Sequence, residues 1–156
     1  MNHNLYEPPQ ADLETRSTRP RQPGSLVKAL LTGTGIEIVG TLLVALGVGV
    51  VYALLLRPDG VSAEEAAKAF DPLSPIGLIG GALGLLVSVF AGYACAAIAN
   101  RDDYKPSYAM AAISLGLGLL MDAGQSSPLT LLLLSALTVG AVLLGSWLHL
   151  RDPKSD

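Results

Sequence analysis

Four long apolar stretches, separated by short polar breaks, occupy residues 29–56, 72–100, 106–121 and 123–150, and only Glu37 interrupts them with a charge. A helix needs roughly 20 apolar residues to cross a bilayer. Each stretch is therefore a candidate span, the third being short. With 51% hydrophobic and 15% charged residues, the chain is too apolar for an ordinary water-facing surface. The expected fold is all-α: a polytopic membrane protein whose four helices run up-down-up-down. Its spans are expected at about 29–56, 75–99, 106–122 and 128–150, with an outer loop at 57–74. Polar tails at 1–25 and 152–156 flank the 26–151 membrane domain. Four prolines, Pro8, Pro9, Pro20 and Pro23, mark the first tail as an extended, solvated arm.

Orientation follows from basic residues near the helix ends, because cytoplasmic loops retain positive charge. Arg16, Arg19, Arg21, Lys28, Arg101, Lys105, Arg151 and Lys154 fall on one side; the other has only Arg57 and Lys68, among Asp59, Glu64, Glu65 and Asp71. Both termini are thus expected in the cytoplasm, with the bacterial inner membrane as the expected location. Tyr104, Tyr108 and Trp147 would sit at the inner boundary and Tyr52 at the outer one, as interfacial anchors.

Helix starts are written locally. Ser25, Ser74 before Pro75 and Ser127 before Pro128 place a hydroxyl acceptor where unpaired amides begin, with proline suited to the first helical position. Ser62 to Glu65 forms a capping-box pattern and predicts a short helix on the outer surface. The connections at 100–105 and 122–127 are short enough to make their flanking helices antiparallel neighbours.

Small residues at helical spacing point to close backbone approach. Gly80, Gly84, Ser88, Gly92 and Ala96 recur at every fourth position of the second span, and Gly77 and Gly81 make an adjacent pair. The first span has a row of Gly33, Glu37, Thr41, Ala45, Gly49 and Ala53; the fourth pairs Ala136 with Gly140 and Ala141 with Gly145. In lipid, packing of this kind replaces the hydrophobic effect. Gly84 is expected at the closest helix contact, and the rows serve packing within the chain, in a homo-oligomer or against a membrane partner.

Glu37 is the sharpest chemical feature, since a carboxylate inside an apolar span is a candidate proton or cation site. It lies 20 residues before Arg57, about 30 Å along a helix. If Arg57 marks the outer surface, Glu37 falls near the inner boundary, where water or Lys28 could satisfy it.

Around this residue the run Glu37-Ile38-Val39-Gly40-Thr41, followed by Leu43, resembles the first helix of the small multidrug resistance transporters, which are four-helix proteins. The resemblance implies that Glu37 binds protons and cationic drugs. The chain departs from that family in its long polar arm, its extended outer connection and its lack of an aromatic cage in spans two to four. The segment Asn4-Leu5-Tyr6-Glu7-Pro8-Pro9-Gln10-Ala11-Asp12 is similar to the Asn-Pro-Tyr-x-x-Pro-x-Ala heads of uncharacterised bacterial inner-membrane proteins, which implies a bacterial source.

The rest of the chain suggests no enzyme. His3 and His149 do not form a spaced ligand pair on one element, Cys95 reads as a small packing residue, and Gly33-Thr34-Gly35 lacks the setting of a phosphate loop. No metal, cofactor or nucleic-acid partner is expected: the net charge is −3 and the basic residues are scattered. The expected role is a non-catalytic interaction or accessory component of the membrane. The alternatives are a small proton- or cation-coupled transporter or channel using Glu37, and an immunity protein against a membrane-acting toxin.

Overall fold

A computed structural model describes residues 23–56, 60, 62–101, 103–122 and 127–151. The polar arm before residue 23, Arg57 and the tail after Arg151 lie outside these, as do the side chains of Leu56, Met121 and Asp122. Every regular element among the described residues is helical: α1 (Leu26–Val51), α2 (Ala63–Ala69), α3 (Pro75–Ala99), α4 (Lys105–Asp122) and α5 (Pro128–Arg151). The first continues into a π-helical segment, Tyr52–Leu56.

Serine hydroxyls cap the N-termini. Ser25 accepts from the Lys28 amide, Ser74 from the Gly77 amide and Ser127 from the Thr130 amide. The capping box at Ser62 and Glu65 is complete, and α2 is a short surface helix with none of its residues buried. At its other end α3 stops on Asn100, which takes the left-handed conformation (φ 46°) that asparagine tolerates better than most residues.

Among the described residues three helices are long and apolar enough to cross a membrane: Leu26–Leu55, Pro75–Ala99 and Pro128–Arg151. The third apolar stretch does fold as α4, but α4 is not among them. It is 18 residues long and runs from Lys105 to Asp122, so its ends and its serines interrupt the apolar run.

Helix directions follow from pairs of contacts. The Gly24 amide donates to the Ala99 carbonyl at 2.8 Å, while further along α1 Gly40 faces Val87. Thus α1 and α3 are antiparallel. Gly33 lies against Met110, and Glu37 against Ser114, so α4 runs parallel to α1. The buried core is made of small side chains around two larger ones: Ala29, Ala91, Cys95, Ala99 and Ala111 surround Met110 and Val142.

The tightest approach joins α3 to α5. A Cβ on Gly92 would collide with the Val142 carbonyl, and one on Gly145 with the Val89 carbonyl. Each helix therefore offers a glycine where the other presents backbone. Buried Ser146 adds polar glue, its hydroxyl lying 3.2 Å from the Gly92 carbonyl and 3.1 Å from that of Val142.

The closest contact thus falls within the glycine row but at Gly92, about two turns beyond Gly84. Around Gly80, Gly81 and Gly84 an added Cβ would meet nothing within 4 Å, and Gly77 abuts only the Asp71 carbonyl and Ser74 of its own entry turn. Ser88, Gly92 and Ala96 are the buried part of that row. On α5 the buried small pair is Ala141 and Gly145; Gly140 faces open space. Tyr52, expected as an interfacial anchor, has its ring buried and meets Phe70 edge-on at 5.6 Å, so it ties the connection between α2 and α3 to the end of the first helix.

Candidate functional site

Glu37 projects from α1 toward both α3 and α4. Ser88 donates to Oε1 at 3.1 Å, and Ser114 donates to Oε2. The two serines are buried and the glutamate is half-buried. Each carboxyl oxygen thus has its own hydroxyl donor from a different helix, which satisfies the group that lipid would leave most expensively bare.

Ser88 is near the middle of α3, and Ser114 near the middle of α4. The carboxyl therefore lies at mid-depth of the helices it joins, not near one end. Arg57, from which the sequence count placed Glu37 near the inner boundary, lies outside the described residues.

A cavity of about 140 Å³ opens between α4 and α5, bounded by Ser114, Leu115 and Gly118 on one side and Leu131, Leu134, Ser135 and Thr138 on the other. Ser114 belongs to both features. Its hydroxyl binds Glu37, and its residue forms part of the cavity wall. Thr138 turns its own hydroxyl onto the Leu134 carbonyl at 3.0 Å, the usual way a threonine is accommodated in an apolar helix.

Of the residues singled out by sequence, the structure brings Glu37 and Ser88 together and places Gly92 at the α3–α5 contact; Gly77, Gly80, Gly81 and Gly84 join neither feature. In the sequence Ser88 stands out only as one small residue of a row, and Ser114 carries no signal beyond being polar within an apolar stretch. A serine in such a helix usually bonds its own preceding turn, so spacing does not reveal which serine reaches across.

At the opposite end of α3, Tyr93 meets buried His149 edge-on at 5.3 Å. Cys95 is buried, with its sulfur 3.9 Å from the Pro106 carbonyl. Arg151 stacks 4.9 Å over Trp147, and Tyr104 lies near Tyr108. Among the described residues no group of three or more His, Cys, Asp or Glu side chains is placed to hold a metal ion. Comparison of the chain with models of known families, with curated proteins and with solved structures gives no match.

Proposed function

We propose that this chain is a four-span helical protein of the bacterial inner membrane, with both termini cytoplasmic, and that it acts as a non-catalytic interaction or accessory component. In this reading α4 is the third span, held in the bilayer by its neighbours although its own sequence is less apolar. The observation that carries the reading is the state of α1. Only 6% of its most apolar window is buried, against 33% for α3. Gly35, Gly47 and Gly49 on this helix have nothing within 4 Å of an added Cβ. An apolar helix with small residues left open can pack against a membrane partner or another copy of the chain. Purification in mild detergent, followed by mass spectrometry of complexes at native expression, should return a reproducible partner. Repeated isolation as a partner-free monomer would overturn the proposal. An immunity protein needs the same kind of recognition surface, and protection of cells from a membrane-acting toxin by this chain would identify that variant of the role.

A second reading is favoured by one observation, the mid-depth position of Glu37 beside the α4–α5 cavity. It makes the protein a small proton- or cation-coupled transporter or channel. Ionisable groups inside membranes commonly mark ion or proton pathways. Reconstituted protein should then carry a proton or cation flux that Glu37→Gln abolishes; absence of flux, or flux indifferent to the substitution, removes this reading.

A further inference from the structure

We infer that Glu37 is a reversible proton-binding site supplied with water through the α4–α5 cavity, with Ser114 as the relay between them. The inference deepens the second reading above and rests on its placing of Glu37 inside the membrane.

The hydrogen-bond geometry accommodates both charge states. With Glu37 ionised, Ser88 and Ser114 each donate to one carboxyl oxygen. A serine hydroxyl can donate or accept, and its proton rotates freely. When a hydronium in the cavity gives a proton to Ser114 Oγ, the hydroxyl proton of Ser114 passes to Glu37 Oε2. The hydronium becomes water, Ser114 stays neutral and the carboxylate becomes a neutral acid. Oε2–H then donates to Ser114 Oγ, whose new proton points to cavity water, while Ser88 continues to donate to Oε1. No helix has to move. Ser88 also has the Gly84 carbonyl within 3.3 Å, a second acceptor that keeps it satisfied as the carboxyl shifts.

The cavity supplies the other requirement. Its volume of about 140 Å³ is well above the roughly 10–15 Å³ that a single water needs, and Ser114, Ser135 and Thr138 give water polar partners. The site's chemistry selects the ligand. A lone carboxylate with two hydroxyls carries one negative charge, which a proton neutralises; a divalent ion would call for several oxygen ligands of higher charge. The other titratable side chains described on the spans packed here are Lys28 on α1 and Tyr52 on its π-helical continuation, Tyr93 and Cys95 on α3, Lys105 and Tyr108 on α4, and His149 and Arg151 on α5. None of them hydrogen-bonds to the Glu37 carboxyl, whose described partners are Ser88 and Ser114.

Infrared difference spectroscopy of the full-length protein in lipid nanodiscs reads the site directly. The wild type should show a protonated-carboxyl C=O band that appears and disappears reversibly with pH, shifts in D2O and is missing from Glu37→Gln. In Ser114→Ala the band should exchange deuterium at least about tenfold more slowly. Should Glu37→Gln fail to fold, the Ser114→Ala comparison with wild type still decides. In a Cys95→Ala background, Ser135→Cys and Thr138→Cys should react with a charged, water-soluble thiol reagent, while Leu132→Cys on the outer face of α5 should not. A carboxyl band that never titrates overturns the proton site; unchanged exchange in Ser114→Ala, or unreactive Ser135→Cys and Thr138→Cys, overturns the relay and its water path. A titrating band in protein without flux supports the site while removing the transport reading.

Discussion

Glycine has a particular use in a membrane helix where another backbone must come within reach. Gly92 and Gly145 meet that condition, each against a carbonyl of the facing helix, whereas Gly84 faces open space. Gly92→Ala and Gly145→Ala should each destabilise the protein by about 1–3 kcal/mol, the usual range for overpacking, because the obstacle is backbone and cannot rotate away. Gly84→Ala should be neutral or slightly stabilising, since alanine is the better helix former. Thermal unfolding in detergent would test the contrast, and equal losses at Gly84 and Gly92 would contradict the packing described. The serines of the Glu37 site make a second test at this scale. Interhelical hydrogen bonds in membrane proteins contribute about 0.6 kcal/mol on average and up to about 1.7 kcal/mol. Ser114→Ala also leaves Oε2 without its described donor, so its loss in the same unfolding measurement should fall at or above the upper figure.

Among the elements, α4 depends most on its neighbours. It begins at Lys105 and carries buried Ser107 and Ser114, yet its Met110 is among the largest fully buried side chains. In the proposed four-span arrangement, packing against α1, α3 and α5 would compensate for the apolar length that α4 lacks. Fused alone into a membrane-insertion reporter, α4 should insert less efficiently than α1, α3 or α5, and joining α5 in its native order should raise its insertion. Equal insertion of isolated α4 and α3 would show that its sequence suffices. The connection between α2 and α3 offers a simpler case. Ser74 accepts from the Gly77 amide at 2.9 Å and its hydroxyl reaches the Ala69 carbonyl, so it caps α3 and ties it to the end of α2. Ser74→Ala should lower stability by about 1 kcal/mol, as loss of an N-cap generally does, measured by the same thermal unfolding.

For the whole molecule, orientation remains a matter of charge. In the topology proposed above, eight basic residues fall on one side and two on the other, which under the positive-inside rule would put residues 57–74 outside the cytoplasm. Reporter fusions after Arg151 should be active in the cytoplasm, and fusions within the outer connection active in the periplasm; the reverse pattern would overturn the proposed topology. The direction of the helices relative to one another is independent of that test, because it follows from contacts such as Gly24 with Ala99 and Gly40 with Val87.

Helix starts and the all-helical class were legible in the sequence because they depend on near neighbours. A serine three residues before an unpaired amide caps it whatever the rest of the chain does, and a long apolar run seeks lipid or a core by composition alone. Glu37 was equally visible as a lone charge. Its partners were not: Ser88 is 51 residues away and Ser114 is 77, and no local pattern selects those serines over others. The glycine rows had the same limit. Gly84 and Gly92 are equivalent in spacing, and only the line along which α3 and α5 meet decided which would face backbone and which would be left open. Periodicity identifies the faces a helix could bury; contact between distant segments determines which part of each face is used.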